Sequence, residues 1–149
     1  MMSKKGELAA ELNKNGYNCS TTVFGAFCED YGISSELKKL AGALGGGCCR
    51  QGDVCGAVSG AALVIGLKHG QNVNGDTAAK ANCYAFADEF IKEFKKASPK
   101  GDTLICREIL GFDLATPEGR QKMKEANLEE LPCRSLMVCA AETLEKLGY

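Results

Sequence analysis

The helix-forming stretch VCGAVSGAALVIGLK, residues 54–68, organises the rest of this chain. It is the longest apolar run, and glycine, alanine and serine make up much of it. Apolar residues that recur every three to four positions predict a helix, and small side chains let neighbouring elements approach closely. The run is too short and too rich in glycine to span a bilayer. We therefore expect a central packing helix from about Val54 to Lys68, with Asp53 as its N-cap.

The other periodic segments of the chain also repeat near three and four residues, and no segment alternates apolar and polar side chains long enough to predict a strand. A chain of 149 residues with 45% hydrophobic content suffices for one core. We therefore expect an all-α fold, a compact bundle of about six to eight helices forming one cysteine-rich domain over residues 1–149. Further helices are predicted around Leu8–Leu12, ended by Asn15-Gly16; from the cap Asn18 to Tyr31, ended by Gly32; and from Ser34 or Ser35 to Leu44. The longest is predicted from Asp76 or Thr77 to before Pro99, with an apolar stripe formed by Cys83, Phe86, Ala87, Phe90, Ile91 and Phe94. Shorter helices are predicted from about Thr103 to Leu110, after Thr116-Pro117-Glu118, and from Pro132 onwards.

The charge of the chain is balanced, with 18 lysines and arginines against 19 aspartates and glutamates. No basic field favours nucleic acid and no polybasic cluster favours a membrane surface, so neither partner is expected. The N-terminal residues lack the apolar block of a signal peptide. We expect a cytoplasmic protein, in which thiols stay reduced and cysteine clusters serve metal binding or catalysis more often than structural disulfides.

Cysteine is the side chain that predicts the chemistry. Four of the nine cysteines, Cys19, Cys55, Cys106 and Cys133, fall at or just inside the predicted start of four different helices. Unpaired N–H groups and the positive end of the helix dipole stabilise a thiolate there, and the thiolate is the form that attacks disulfides and ligates metals. Arginines follow Cys106 and Cys133, and a nearby cation lowers the pKa of a thiol further.

These four cysteines are far apart in the sequence, with separations of 55 − 19 = 36, 106 − 55 = 51 and 133 − 106 = 27 residues. The chain has no C-x-x-C, which disfavours a thioredoxin-like motif, a zinc ribbon, an ordinary ferredoxin and attached haem c. Any site must therefore be assembled by the fold. Converging helix starts would present four thiolates to a metal or an iron–sulfur cluster, or would bring two thiols within disulfide reach.

The other cysteines divide into two groups. Cys48 and Cys49 follow Gly45-Gly46-Gly47 in a loop that leads to Cys55, and they would close a strained ring disulfide or lend a sulfur to the site. Cys28, Cys83 and Cys139 fall within predicted helices, where buried cysteine behaves as a small hydrophobe. We expect these three to belong to the core.

Four segments together resemble a known family: Gly16-Tyr17-Asn18-Cys19, Gly45-Gly46-Gly47-Cys48, Cys55-Gly56-Ala57-Val58-Ser59-Gly60 and Cys106-Arg107-Glu108-Ile109-Leu110-Gly111, the last followed by Asp113-Leu114-Ala115-Thr116-Pro117-Glu118-Gly119. They are similar to the bacterial and archaeal C_GCAxxG_C_C family of redox-active proteins. The resemblance implies an α-helical domain with four recurrent cysteines, which map onto Cys19, Cys55, Cys106 and Cys133. A related cysteine arrangement accompanies an iron–sulfur centre in split-Soret cytochromes, which makes a bound cluster an expectation by analogy. The tandem Cys48-Cys49 departs from the simple four-cysteine pattern.

The functional expectation is a small redox protein in which those four cysteines bind an iron–sulfur cluster for electron transfer or undergo thiol–disulfide exchange. The sequence leaves open whether the protein is an oxidoreductase or an electron carrier. It also leaves open whether the protein holds any cofactor. Its partner would be a redox protein, and the cysteines could also meet at a contact between two copies of the chain. As a rival, the same thiolates would hold a structural Zn²⁺ in a module without turnover.

Overall fold

Seven α-helices and two 3-10 helices make up the computed structural model, which describes residues 1–149. The α-helices are α1 (Lys4–Lys14), α2 (Cys19–Gly25), α3 (Gly56–His69), α4 (Thr77–Ala97), α5 (Cys106–Leu110), α6 (Pro117–Glu125) and α7 (Cys133–Lys146), and the 3-10 helices are Glu29–Tyr31 and Ser35–Leu44. The only β-type pairing is an isolated antiparallel bridge between Val54 and Ile105. The prediction of a compact all-α fold is confirmed. None of the helices combines the length and the apolar composition needed to cross a bilayer.

Helix α3 has the central place that its small side chains predicted. It packs against α2, α4, α7 and the 3-10 helix Ser35–Leu44. A methyl group added at Gly60 would lie 2.6 Å from the Ser20 carbonyl oxygen and 3.0 Å from the Val23 Cβ. The absence of a side chain at Gly60 therefore lets α2 and α3 come into backbone contact.

One hydrophobic core of 22 buried residues joins the helices. Its bulkiest members include Phe27, between α2 and the first 3-10 helix, and Phe90 and Phe94 of α4, whose rings stack with centroids 5.6 Å apart. Burying such a side chain stabilises the fold by about 1.5–3 kcal/mol. The predicted apolar stripe of α4 is buried only in its second half, because Phe86, in the first half, is 36% exposed.

Several predicted helix ends follow from their capping residues. Asn18, Asp76 and Thr116 are N-caps whose side chains accept a hydrogen bond from the third N–H of the helix that follows. Gly32 ends its 3-10 helix in the left-handed conformation, with φ of 66°. These caps satisfy backbone groups that have no partner within the helix.

Three details of the predicted helices differ from the structure. The segment Ser35–Leu44 has the predicted bounds but is a 3-10 helix, and two of its carbonyls, at Ala41 and Gly42, accept side-chain hydrogen bonds from the start of α2. Helix α2 ends at Gly25, so Cys28 lies in the turn after it and not in a helix. Asp53 is not the N-cap of α3: Cys55 holds that position, because the residues before it pair with the segment that leads into α5.

Candidate functional site

Cys55 and Cys106 are positioned by the antiparallel bridge that precedes α3 and α5. The Cys55 N–H donates to the Leu104 carbonyl at 2.8 Å, and the Cys106 N–H donates to the Asp53 carbonyl at 2.6 Å. Each cysteine directly follows a bridge residue, Val54 or Ile105. Because side chains alternate along an extended segment, both cysteine side chains lie on the face opposite to that of Val54. Residues in this diagonal relation lie about 7–8 Å apart. Accordingly Cys55 and Cys106 are 7% and 8% exposed, whereas Val54 is 41% exposed.

Cys19 reaches the same place from α2. It is the first residue of that helix, and the Asn18 side chain before it accepts a hydrogen bond from the Thr21 N–H at 3.0 Å. The Cys19 sulfur lies directly against Gly56, where an added methyl group would overlap it. Because Gly56 follows Cys55, the absence of a side chain at Gly56 lets the Cys19 thiol stand beside the start of α3.

Cys133 is contributed by the last helix. It is the first residue of α7, immediately after Pro132 at the N-cap. Helix α7 packs against both α2 and α3, which carry Cys19 and Cys55 at their starts. The predicted helix-start positions of Cys19, Cys55, Cys106 and Cys133 are therefore those of the structure. We call these four residues the cysteine quartet.

Burial and neighbouring thiols raise the pKa values of three members of the quartet. Burial, followed by the charge of Cys19, raises the pKa of Cys55 to about 11. Burial, followed by the charges of Cys55 and Cys19, raises the pKa of Cys106 to about 12. Burial, followed by the charges of all three other members, raises the pKa of Cys133 to about 12. Every pair within the quartet is thus close enough for thiolate charges to repel each other.

These directions overturn the expectation of lowered thiol pKa values at Cys55, Cys106 and Cys133. Withdrawal from water and like-charge repulsion outweigh the contribution of the helix starts. The arginine after Cys106 does not offset them, because the Arg107 guanidinium donates to the Asp53 carboxylate at 2.8 Å. The neutral thiol is therefore the stable form of these three side chains at neutral pH.

The donors that the quartet offers are sulfur atoms alone. All nine cysteines are free thiols, and no group of three or more cysteine, histidine, aspartate or glutamate side chains stands in metal-holding geometry. Four thiolates are the donor set of structural zinc and of iron–sulfur clusters. The chemistry of the donors fits either group, and it also permits disulfide formation between members of the quartet.

Cys48 and Cys49 form a second, separate thiol pair. Their loop touches the quartet through Gly47, where an added methyl group would lie 2.7 Å from the Cys106 Cβ. The Cys49 side chain, however, is exposed and Cys48 is half-buried. The pKa of Cys48 is raised by a hydrogen bond to Cys49 and by the charge of Cys49, with no contribution from the quartet.

The remaining cysteines lie in or against the core. Cys28 is 1% exposed and Cys139 is 9% exposed, and burial raises the pKa of both thiols. Cys83 is partly buried and packs against the core from α4. This is the placement expected of structural cysteines.

A comparison with protein-family models finds a match over residues 17–147, to the family described as "Putative redox-active protein (C_GCAxxG_C_C)". The chain belongs to this family. The matched region contains all members of the quartet, together with Cys48 and Cys49. No curated protein and no solved structure matches the chain.

Sequence reasoning did not single out one carboxylate of this C_GCAxxG_C_C protein whose charge reaches Cys106. The charge of Asp113 contributes to the raised pKa of Cys106. Its carboxylate accepts a hydrogen bond from the Ala115 N–H at 2.9 Å and lies where a side chain at Gly52 would have to go. The signal that could have found it is the family-like segment after α5, which contains Asp113.

Proposed function

We propose that the cysteine quartet is a single redox centre that binds an iron–sulfur cluster and transfers electrons. The observation that carries this proposal is the convergence of four helix starts that each bear a cysteine: the bridge sets Cys55 beside Cys106, the Cys19 sulfur lies against Gly56, and α7, which begins at Cys133, packs against α2 and α3. The description of the family as redox-active supports the same assignment.

The raised pKa values favour cation binding over nucleophilic chemistry. A thiol with a pKa of about 11, such as Cys55, is ionised in about one molecule in ten thousand at pH 7. Attack on a disulfide needs the thiolate, so exchange at the quartet would be slow. Bound metal ions reverse this balance, because their positive charge displaces the thiol protons and cancels the repulsion between the sulfurs.

The protein contributes position and exclusion of water to this centre. The bridge fixes Cys55 and Cys106, the N-cap Asn18 fixes the backbone at Cys19, and α7 carries Cys133. An iron–sulfur cluster supplies one-electron transfer, with a potential set by burial and by hydrogen bonds to its sulfurs. Burial of Cys55 and Cys106 limits access of water to two of the four ligands.

The alternative is a structural zinc site, for which the same four thiolates are suitable ligands. Elemental analysis of protein purified without oxygen separates the two proposals. We expect iron with acid-labile sulfide, and a paramagnetic resonance signal that appears or disappears on addition of a one-electron reductant. Zinc alone would support the structural module, and metal-free protein that forms a disulfide within the quartet would support exchange chemistry; either result overturns the iron–sulfur assignment.

A further inference from the structure

The backbone that carries Cys48 and Cys49 has an unusual handedness. Five consecutive residues lie in the left-handed region, with φ of 67° at Gly46, 73° at Gly47, 61° at Cys48, 53° at Cys49 and 59° at Arg50. Each residue with a Cβ in this conformation costs about 1–2 kcal/mol, and glycine alone adopts it freely. Left-handed residues in succession persist only where the surrounding structure fixes them, and such strain concentrates at functional positions.

Hydrogen bonds fix this turn. Every backbone N–H from Cys48 to Asp53 donates to a backbone carbonyl, including Cys49 to Ala43 at 2.7 Å and Asp53 to Gly47 at 2.9 Å. The Gln51 side chain also donates to the Cys49 carbonyl at 3.2 Å. Gly47 cannot be replaced by a residue with a side chain unless the turn shifts, because an added methyl group would lie 2.5 Å from the Asp53 nitrogen.

The two thiols of this turn belong to adjacent residues at the surface. Cys49 is exposed and Cys48 is half-buried, and the neighbouring Cys49 is the main cause of the raised pKa of Cys48. When both thiols ionise, their negative charges repel each other. A positive ion that binds both sulfurs cancels this repulsion.

A disulfide between these residues would be strained. Neighbouring Cα atoms are about 3.8 Å apart, whereas disulfides usually join Cα atoms about 4.4–6.8 Å apart. An ion that binds both sulfurs widens the ring by one atom and removes this constraint. Soft thiolates select soft ions.

We propose that the Cys48–Cys49 pair is a second binding site, separate from the cysteine quartet, which chelates one soft, thiophilic ion of low coordination number. Copper(I) and trivalent arsenic represent this chemical class. On binding, two S–H bonds break, two bonds from sulfur to the ion form, and two protons leave. With phenylarsine oxide as the probe, the arsenic-bound oxygen leaves as water with both protons, and no atom changes its oxidation state.

The test is titration of reduced protein with phenylarsine oxide under anaerobic conditions, followed by trypsin digestion and mass spectrometry. The tryptic peptide over residues 40–50 contains Cys48, Cys49 and no other cysteine. We expect one arsenic on this peptide in the wild-type protein and in the Cys83→Ser control. Cys48→Ser and Cys49→Ser should each weaken binding there by at least about tenfold, because a single thiol cannot chelate.

Two comparisons make the outcome decisive. The isolated peptide 40–50 should bind phenylarsine oxide about tenfold more weakly than the folded protein, because the turn holds the thiols together in advance. A parallel titration with copper(I) shows which of the two ions the site prefers. The proposal is overturned if neither probe binds the pair, if the arsenic is found only on peptides of the quartet, or if the free peptide binds as tightly as the protein.

Discussion

The cysteine quartet and the Cys48–Cys49 pair contain the same side chain in opposite settings. The quartet stands at the starts of right-handed helices, and its members Cys55 and Cys106 are buried. The pair lies in a left-handed turn, with Cys49 exposed. Burial is the main cause of the raised pKa values of Cys55, Cys106 and Cys133, whereas the pKa of Cys48 is raised mainly by its neighbour Cys49.

This difference shows that tertiary environment, and not the helix start, decides the protonation of these thiols. The helix dipole acts on the residues of the first turn and contributes about 0.3–1 kcal/mol. Removal of a thiolate from water next to other thiols acts in the opposite direction and outweighs it. A group of four thiols that are buried or half-buried is thus suited to holding cations, while a pair with one exposed thiol remains open to reagents from solution.

The largest effect that this comparison predicts is a loss of stability of the metal-free, reduced protein at alkaline pH. Unfolded thiols ionise from a pKa near 9.0, whereas folded Cys106 and Cys133 keep their protons until about pH 12. Their contribution to stability is therefore complete below pH 9 and is lost as the pH rises towards 12. Each thiol contributes a slope of up to about 1.4 kcal/mol per pH unit.

Urea unfolding at pH 8, 9, 10 and 11 measures this slope. The Cys106→Ser variant should lose stability less steeply than the wild type, whereas Cys49→Ser should follow the wild type. Equal slopes for the wild type and Cys106→Ser would show that the Cys106 thiol is not buried in the folded protein.

A methyl group at Gly56 should damage the quartet and leave the pair intact. In Gly56→Ala the new Cβ overlaps the Cys19 sulfur, so that Cys19 must move, and overpacking of this kind costs about 1–3 kcal/mol. Gly66→Ala, in the same helix, is the matched control, because a Cβ there meets no atom within 4 Å. Gly66→Ala should stabilise the protein by about 0.5–1 kcal/mol through helix propensity. Chemical denaturation of both variants checks the prediction, which fails if both change stability in the same direction.

Alkylation should distinguish the two regions by rate. In metal-free, reduced protein at pH 8, iodoacetamide should label the Cys48–Cys49 pair at least about tenfold faster than Cys55, Cys106 or Cys133, because the reagent attacks exposed thiolates. Peptide mapping over a time course gives the rates. Faster labelling of Cys55 and Cys106 than of Cys49 would reverse the assignment of buried and exposed thiols.

The smallest effect concerns the cap beside Cys19. Asn18→Ala removes the side chain that accepts from the Thr21 N–H and should cost about 1 kcal/mol. Ser3→Ala removes the equivalent cap of α1 and is the control. Both variants should lose stability in urea unfolding, and Asn18→Ala should lose more because the Asn18 amide also donates to the Gly42 carbonyl at 2.8 Å. Only Asn18→Ala should speed the alkylation of Cys19. The same alkylation rate in both variants would show that the cap does not hold that thiol.

Local signals in the sequence predicted much of the fold. The caps Asn18 and Asp76, the Pro117 after Thr116 and the stripe ending in Phe94 each act within one or two turns of chain, so their consequences can be read from neighbouring residues. The helix-start positions of the quartet follow from the same signals. That these cysteines carry the function stays a prediction.

The features that sequence did not predict depend on distant contacts. The bridge between Val54 and Ile105 joins two segments too short to show a strand pattern, and it displaced Asp53 from its expected cap position. The left-handed conformation of Cys48 and Cys49 is imposed by carbonyls of preceding residues and by close packing at Gly47. The raised thiol pKa values result from burial between helices, which no local pattern records.

Metal analysis of single-cysteine variants tests the central claim most directly, namely that the quartet is one redox centre distinct from the Cys48–Cys49 pair. Iron and acid-labile sulfide per chain would be measured in anaerobically purified Cys19→Ser, Cys55→Ser, Cys106→Ser and Cys133→Ser, with Cys49→Ser and Cys83→Ser as controls. The account predicts that each quartet variant loses at least about half of the bound iron and sulfide, and that both controls keep the wild-type amounts. Full iron and sulfide in any two quartet variants, or their loss in Cys49→Ser, would contradict it.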